Sequence, residues 1–118
     1  MSLEQSFLEV CPIVDIPVGK SKRILMNGIP VAVFHTDQGF YAIEDACSHQ
    51  GASLAFGSLD GNHVACPRHG AIFDIRNGEV CSLPALRGVR SYLTRVEAEV
   101  LFVATEPTTQ EQPALLSF

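Results

Sequence analysis

Short apolar runs separated by turn-forming residues recur along this 118-residue chain, and this pattern constrains the fold more than any other feature. The turn sequences are Asn27-Gly28, Asp37-Gln38-Gly39, Asp60-Gly61-Asn62 and Asn77-Gly78. The runs are Arg23–Met26, Val31–Thr36, Phe40–Ile43, His63–Ala65, Ala71–Ile75, Val89–Val96 and Val100–Val103. An Asn-Gly pair between two such runs is a strong hairpin signal. The pattern therefore predicts short strands joined by tight turns.

Within the runs, side chains alternate between two faces. Val31 and Val33 share one face, as do Leu101 and Val103, whereas no window of a dozen residues shows a helical stripe. The sequence therefore predicts an all-β fold, a small antiparallel sandwich or barrel. With 47% apolar residues the chain can bury an adequate core, so we expect residues 1–118 to form a single domain.

Composition and charge narrow the function classes. The formal net charge of −5 argues against binding to nucleic acid or to anionic membranes, and it suits brief docking on a basic partner. The longest apolar stretches, such as Val100–Ala104, are too short to cross a bilayer, and Met1–Gln5 lacks the features of a signal peptide. We therefore expect a cytoplasmic protein. In that compartment, four cysteines favour metal or reactive sites over disulfides.

The segment from Asp45 to Gly70 departs from the strand pattern and is predicted to be loop-like. It contains three of the four histidines and half of the cysteines. It includes Cys47-Ser48-His49, then sixteen residues, then Cys66-Pro67-Arg68-His69. Two short loops, each offering one thiolate and one imidazole, can close around a metal centre from two sides. Loops on a rigid sheet are common places for function.

Two kinds of metal centre suit two thiolates and two imidazoles. One is a tetrahedral zinc ion, and the other is a [2Fe–2S] cluster in which two histidines replace two cysteines on one iron. Structural zinc sites usually pair two cysteines in one loop and two histidines in the other. Here each loop is mixed, which favours the cluster. A zinc-stabilised binding module without a redox role stays open as an alternative.

The two loops resemble those of Rieske iron–sulfur proteins. The sequences that carry the resemblance are Cys47-Ser48-His49-Gln50-Gly51-Ala52 and Cys66-Pro67-Arg68-His69-Gly70-Ala71. The stretch through Phe73-Asp74 and Asn77-Gly78-Glu79-Val80 is similar to the Rieske ferredoxins of multicomponent aromatic-ring dioxygenases. The resemblance covers about residues 6–104, the expected core, and leaves residues 106–118 as a C-terminal extension. We expect this extension to be loose, unless the apolar residues 114–116 pin it to the body.

The resemblance implies one Rieske-type [2Fe–2S] cluster as the cofactor. Cys47 and Cys66 would bind the inner iron, while His49 and His69 would bind the outer iron near the surface. The resemblance also implies an antiparallel β fold in which two loops, at about residues 45–52 and 65–72, form one tip.

The same resemblance implies electron transport rather than catalysis. The chain would carry single electrons from an NADH-dependent flavin reductase to a terminal ring-hydroxylating oxygenase, in the catabolism of aromatic hydrocarbons. It has no nucleotide-binding glycine fingerprint, nucleophile elbow or paired-carboxylate motif, and no room for a following catalytic domain. We expect a monomer that docks transiently through its tip. A small Rieske-type subunit of a nitrite reductase is the alternative within electron transfer.

The other cysteines and histidines have simpler interpretations. Cys11 and Cys81 have no partner at metal spacing, so we expect both to be buried as small hydrophobic residues. His63 precedes Cys66 by three residues and is a ligand only in the zinc alternative. His35, at the end of a hydrophobic run, is expected to be structural or solvent-facing.

Polar residues around the two loops have two readings each. Arg68 and Gln50 are either solvated loop residues or docking contacts, and the charge of Arg68 would favour the reduced cluster slightly. Glu44, Asp45 and Asp60 either frame the cluster end with negative charge or are ordinary surface residues.

Two substitutions test how residues near the cluster set its reduction potential. Respiratory-chain Rieske proteins, which resemble this chain at the ligands, have serine and tyrosine hydroxyls near cluster or ligand sulfurs where this chain has Ala71 and Phe73. Their loops also carry cysteines at the positions of Ala52 and Arg68, so the disulfide between their loops cannot form here. A hydrogen bond to sulfur favours the reduced state, so losing one at about 1.4 kcal/mol lowers a one-electron potential by roughly 60 mV.

We therefore expect a potential towards the bottom of the Rieske range of about −150 to +300 mV. Ala71→Ser and Phe73→Tyr should each raise it in a redox titration beside the wild type. A wild-type value near the top of the range would show that other features set the potential.

Overall fold

Ten strands and two short 3₁₀ helices form the regular structure of the residues that the computed structural model describes, 6–45, 53–68, 70–82 and 87–108. The strands are β1 (Phe7–Pro12), β2 (Ser21–Met26), β3 (Ile29–Thr36), β4 (Gly39–Glu44), β5 (Ser58–Asp60), β6 (His63–Ala65), β7 (Ile72–Asp74), β8 (Ser91–Tyr92), β9 (Thr94–Glu97) and β10 (Val100–Ala104). The 3₁₀ helices are Ile13–Asp15 and Leu54–Phe56. All pairings between these strands are antiparallel, which confirms the predicted all-β class.

The strands form three sheets. The base sheet has the order β1-β10-β9, the central sheet β2-β3-β4-β8, and the small sheet β5-β6-β7. The chain leaves the central sheet after β4, builds the small sheet, and returns to the central sheet at β8. Both predicted cluster loops therefore fall within one excursion from the central sheet. No helix in this part of the chain is long and apolar enough to cross a membrane.

Strand β3 joins two hydrophobic cores because it is buried on both faces. Val31 and Val33 face the base core, while Ala32 and Phe34 face the small-sheet core. The base core consists of Cys11, Ile16, Met26, Val31, Val33, Ala42, Tyr92, Leu101 and Val103. The small-sheet core consists of Ala32, Phe34, Ile43, Leu54, Ala55, Val64, Cys66, Ala71, Phe73, Ile75, Val80 and Val89. This explains why β3 is apolar on both faces rather than alternating with polar residues.

The Asn27-Gly28 turn joins β2 to β3 as the sequence predicts. Asn27 has φ 54° and Gly28 has φ 85°, the left-handed pair that a type I′ hairpin turn requires. The register then pairs Met26 with Ile29 directly across the turn. Local turn chemistry therefore sets the pairing of the two strands.

Two strands and part of the loop-like segment differ from the sequence prediction. Strand β1 was not predicted because its register shifts between Glu9 and Cys11, which breaks the alternation of its side chains. The segment from Asp45 to Gly70 contains β6, which is the predicted run His63–Ala65, but also a 3₁₀ helix and β5, which were not predicted. Strand β5 turns only Leu59 towards the small-sheet core, so its sequence gives a weak signal.

The start of the C-terminal extension is attached to the central sheet. Thr108 donates its backbone N–H to the carbonyl oxygen of Ser91 at 2.8 Å, and the two side-chain hydroxyls lie 2.9 Å apart. The expectation of a loose extension therefore does not hold as far as Thr108. The apolar residues 114–116 lie outside the described residues.

The backbone of Gly78 packs closely against the backbone of Val89 and so holds the segment 87–90 in place. Its carbonyl oxygen accepts the N–H of Val89 at 2.8 Å, and a Cβ at Gly78 would overlap the carbonyl oxygen of Val89. One residue further on, the carbonyl oxygen of Arg90 accepts the N–H of Glu44 at 2.8 Å. This contact therefore supports the end of β4, from which the first predicted loop departs.

Gly78→Ala should destabilise the protein much more than Gly28→Ala. Both glycines have positive φ, +78° and +85°, but a Cβ at Gly28 would meet nothing within 4 Å. Gly28→Ala should cost only the backbone strain of about 1 kcal/mol, whereas Gly78→Ala adds an overlap and should cost about 3 kcal/mol or more. At about 4 °C per kcal/mol, thermal unfolding of the two variants separates them. Equal shifts in Tm would contradict the close approach.

Candidate metal centre

Of the four predicted ligands, Cys66 lies within the described residues, and Cys47, His49 and His69 lie outside them. Cys66 follows β6 directly and is 3% exposed within the small-sheet core. Its backbone N–H donates to the carbonyl oxygen of Ala71 at 2.7 Å, and its carbonyl oxygen accepts the N–H of Gly70 at 3.0 Å. Residues 66 and 71 thus close the second loop at its base.

The second loop is the connection of the β6–β7 hairpin. The register pairs Ala65 with Ile72 and Val64 with Phe73, so residues 66–71 form the turn. Val64 and Phe73 are fully buried, which fixes the hairpin on the small-sheet core. Pro67 and Arg68 are exposed at the end of this hairpin. The fold therefore presents the loop to solvent while burying the Cys66 side chain.

The segment that contains Cys81 and Ser82 binds the β7 edge of the hairpin. Cys81 donates its backbone N–H to the carbonyl oxygen of Ile72 at 2.7 Å, and Ile72 donates its N–H to the Ser82 hydroxyl at 3.0 Å. Ser82 was not singled out from the sequence, because a serine near a turn carries no signal of a long-range acceptor role. Its hydroxyl ties the start of β7 directly to the chain after Val80.

Both flanks of the first loop rest on the central sheet. On one side, Asp45 donates its backbone N–H to the carbonyl oxygen of Pro30 at 3.0 Å. On the other side, Leu54 and Ala55 are buried, and Ala55 accepts the Ser21 hydroxyl at 2.6 Å. The segment that contains Cys47 and His49 therefore leaves from and returns to a rigid support.

Of the three acidic residues near the loops, Asp45 is the one that is buried and paired. Its side chain is fully buried, and its carboxylate accepts Arg23 Nε at 2.7 Å. Glu44 is half-buried and Asp60 is exposed. The reading of Asp45 as an ordinary surface residue is therefore wrong. Arg23 was missed because it lies far from Asp45 in the sequence.

Asp74 ends β7 at the side remote from the second loop. Burial alone would raise the pKa of this carboxyl group, but hydrogen bonds and attraction from Arg76 outweigh burial and hold the pKa below its usual value. The Arg76 guanidinium donates to it through Nε at 3.0 Å and through its terminal nitrogen at 2.7 Å. The pair stabilises the turn between β7 and Val80.

The structure tests the predicted burial and roles of the other cysteines and histidines, and it confirms those of Cys11 and His35. Cys11 is 7% exposed in the base core, as predicted, and burial followed by the charge of Asp15 raises its pKa. His35 is structural: Nδ1 donates to the carbonyl oxygen of Ile16 at 2.6 Å, and the ring stacks on Phe40.

Cys81 is exposed, so the prediction that it is buried is wrong. It lies on the outer side of the small sheet, where it lines a shallow groove with Ser58, His63 and Ile72. The apolar neighbour Val80 suggested a buried strand, but of these two residues only Val80 packs into the small-sheet core. His63 is exposed in the same groove, and within residues 6–45, 53–68, 70–82 and 87–108 no group of three or more metal-binding side chains comes together.

A family model described as the Rieske [2Fe-2S] domain matches residues 6–93 of the chain. The chain belongs to this Rieske family. It therefore carries one Rieske-type [2Fe–2S] cluster. The match spans the central and small sheets and both loops, and it ends just after β8.

Two proteins that are similar to this Rieske protein come from dioxygenase systems. It is 38% identical, over 94 residues, to the 3-phenylpropionate/cinnamic acid dioxygenase ferredoxin subunit of Escherichia coli K12, covering 79% of this chain and 88% of that one. It is 34% identical to a chain in the complex of reduced oxygenase and oxidised ferredoxin in carbazole 1,9a-dioxygenase, with a TM-score of 0.84, covering 91% of this chain and all of that one.

A more distant likeness concerns the fold alone. A Mycobacterium tuberculosis chain proposed to be the small subunit of an NADH-dependent nitrite reductase is 23% identical, with a TM-score of 0.77, covering 86% of this chain and 96% of that one. The Rieske fold is therefore shared beyond the ferredoxins.

The described part of the site fits an iron–sulfur cluster. Cys66 offers a soft thiol, has no disulfide partner among the described cysteines, and sits where a tight hairpin loop meets an apolar core. Thiolates suit Fe–S clusters, and burial limits the access of water to such a centre. Ala71 and Phe73 lie in the same core, 1% and 0% exposed, and neither has a hydroxyl.

Thiol labelling tests the positions of the two non-ligand cysteines. In the cluster-loaded Rieske protein, a maleimide should modify Cys81 readily because it is exposed, and Cys11 only on unfolding because it is buried. Desolvation raises the pKa of both thiols, in Cys81 because its side chain is partly covered, so all samples are labelled at one mildly alkaline pH at which maleimides still react selectively with thiols. Mass spectrometry should locate the rapid label on Cys81, and Cys81→Ser should abolish it. Rapid labelling of Cys11 in the folded protein would contradict the structure.

Proposed function

We propose that this Rieske protein is a one-electron carrier whose cluster is held by Cys47, His49, Cys66 and His69. The observation that carries the proposal is the family match over both loops, residues 6–93, together with the buried Cys66 at the base of an exposed hairpin loop. The ligand set itself rests on the spacing of the two Cys–His pairs, Cys47-Ser48-His49 and Cys66-Pro67-Arg68-His69. When bound, the cluster supplies a centre that accepts and releases one electron.

The chain's own residues would hold and present this centre. The central sheet fixes the flanks of the first loop, and the β6–β7 hairpin carries the second. Exposed Pro67 and Arg68 place part of the second loop within reach of a docking protein. Electron tunnelling is efficient only over short distances, so an exposed tip suits transfer to a partner. Arg68 is proposed as a docking contact on this basis.

The partners we propose are an NADH-dependent flavin reductase and a terminal ring-hydroxylating oxygenase. A relative named as a dioxygenase ferredoxin subunit, at 38% identity, supports this assignment, as does a chain of an oxygenase–ferredoxin complex of carbazole 1,9a-dioxygenase, at 34% identity. The chain is an electron-transfer component of such a system rather than its catalytic enzyme. We propose that it works in the cytoplasm as a monomer, since transient docking needs a free tip.

Two other functions have less support. The nitrite reductase small subunit shares the fold at 23% identity, below the identity to the dioxygenase ferredoxins. A zinc-stabilised module without redox function is contradicted by membership of the Rieske family, whose metal centre is an iron–sulfur cluster.

The proposed function is tested by NADH-dependent hydroxylation with the reductase and the oxygenase of the same organism. Product should form with the wild-type chain and fall to the level without ferredoxin for His69→Ala or Cys66→Ala, because each opens an iron coordination position. Cys11→Ala is the matched control. It removes a buried cysteine that is not a proposed ligand, and it should keep the visible spectrum and the rate per cluster.

Two outcomes would contradict the proposal. Unchanged iron content and spectrum in His69→Ala or Cys66→Ala would overturn the ligand set. Equal product with and without the wild-type chain, while the chain is cluster-loaded and reducible, would overturn the dioxygenase assignment but not the presence of the cluster.

A further inference from the structure

Asp45 is a buried charge with an unusually full set of donors. Oδ2 accepts Arg23 Nε at 2.7 Å, and Oδ1 accepts the backbone N–H of Ala55 at 2.8 Å. The Ser53 hydroxyl lies 2.8 Å from Oδ2 and 3.0 Å from Oδ1, so it donates to the carboxylate between the two. An unpaired buried carboxylate would be strongly unfavourable, and these donors replace its lost hydration.

These contacts join the two ends of the first loop. Asp45 stands immediately before residues 46–52, Ser53 follows them directly, and Ala55 comes two residues after Ser53. The carboxylate therefore bridges the start and the return of the segment that contains Cys47 and His49. Neither Ser53 nor Ala55 is linked to the start of the loop by a strand pairing, because β5 begins only at Ser58. The side chain supplies a connection that the sheets do not.

Arg23 fastens this connection to the central sheet. It lies on β2, its side chain is 44% exposed, and its partner is fully buried. The Ser21 hydroxyl on the same strand donates to the carbonyl oxygen of Ala55 at 2.6 Å. Strand β2 thus holds the return side of the loop directly and the start side through Asp45.

We propose that Asp45 is a positioning residue for the cluster, one that holds the first loop closed and places a fixed negative charge, balanced by Arg23, beside the metal centre. This inference rests on the proposed function, in which Cys47 and His49 are ligands. Two residues of chain span at most about 7 Å, so the Asp45 backbone is close to that of Cys47 whatever the loop conformation.

The charges of Asp45 and Arg23 should shift the reduction potential of the cluster in opposite directions. Reduction adds negative charge to the cluster, so a nearby anion lowers the potential and a nearby cation raises it. Removing the charge of Asp45 should therefore raise the potential, and removing that of Arg23 should lower it. Asp45 is buried and Arg23 is partly exposed, so solvent screens Arg23 more and the Asp45 shift should be larger. A loop that merely loosens in both variants would not give opposite signs.

The experiment compares cluster-loaded Asp45→Asn, Arg23→Gln and the double variant with the wild type in one redox titration. The single variants should shift the potential in opposite directions, and the double variant should lie between them. Cluster loss at elevated temperature, followed by the visible absorbance, should be about tenfold faster or more in Asp45→Asn, because charge-assisted hydrogen bonds that close the loop are weakened. Ser53→Ala should accelerate cluster loss without shifting the potential upward as Asp45→Asn does.

Two controls separate positioning from general stability and net charge. Asp74→Asn breaks another pair between a buried aspartate and a partly exposed arginine, Arg76, at the end of β7 that is farther from the second loop. It should lower Tm but leave cluster loss at the wild-type rate when compared at equal distance below Tm. Glu97→Gln removes one negative charge from the pair with Arg95 on the base sheet, and it should leave the potential unchanged.

Shifts of the same sign in Asp45→Asn and Arg23→Gln, or cluster loss in Asp45→Asn no faster than in Asp74→Asn, would overturn the inference. Either result counts only if the wild-type protein is reduced and reoxidised reversibly by one electron in the same titration. A wild-type protein that takes up no electron reversibly would instead overturn the proposed function, so the two failures are distinguishable.

Discussion

The burial of β3 on both faces is the constraint on which the rest of the structure depends. Val31 and Val33 close one core with the base sheet, and Ala32 and Phe34 close another with the small sheet. A sheet covered on both faces must be apolar on both, and interior packing leaves little freedom for its neighbours to shift. The central sheet therefore serves as a rigid layer between the base sheet and the small sheet, whose core contains the proposed ligand Cys66.

The two loops that we propose to hold the cluster are connected to this layer through different kinds of interaction. The second loop is held by the apolar residues of its own hairpin and by the base-closing hydrogen bonds between Cys66 and Ala71. The residues that flank the first loop are joined by a buried carboxylate, Asp45, which pairs with Arg23 on the central sheet. One support is therefore hydrophobic and local, and the other is ionic and long-range. We propose that the two supports together position the cluster.

Local patterns predicted the fold class and the hairpins, because turn chemistry and alternation depend on neighbouring residues. The Asn27-Gly28 turn follows from the need for positive φ at both positions. The exposure of Cys81 was not predictable from the sequence. It depends on the isolated bridge between Val80 and Phe73, after which the Cys81 side chain points to solvent. The pair of Arg23 with Asp45 joins residues 22 positions apart and has no local signal. Spacing alone identified the ligand set that we propose, with Cys66 as its described member.

Counting electrons against iron tests the central claim most directly. The purified chain is analysed for iron and acid-labile sulfide and then titrated with a reductant under anaerobic conditions. A Rieske one-electron carrier predicts two irons, two sulfides and one electron per chain, with full recovery of the oxidised spectrum on reoxidation. A chain that binds zinc in place of iron, or that takes up no electron with its iron present, would contradict the account.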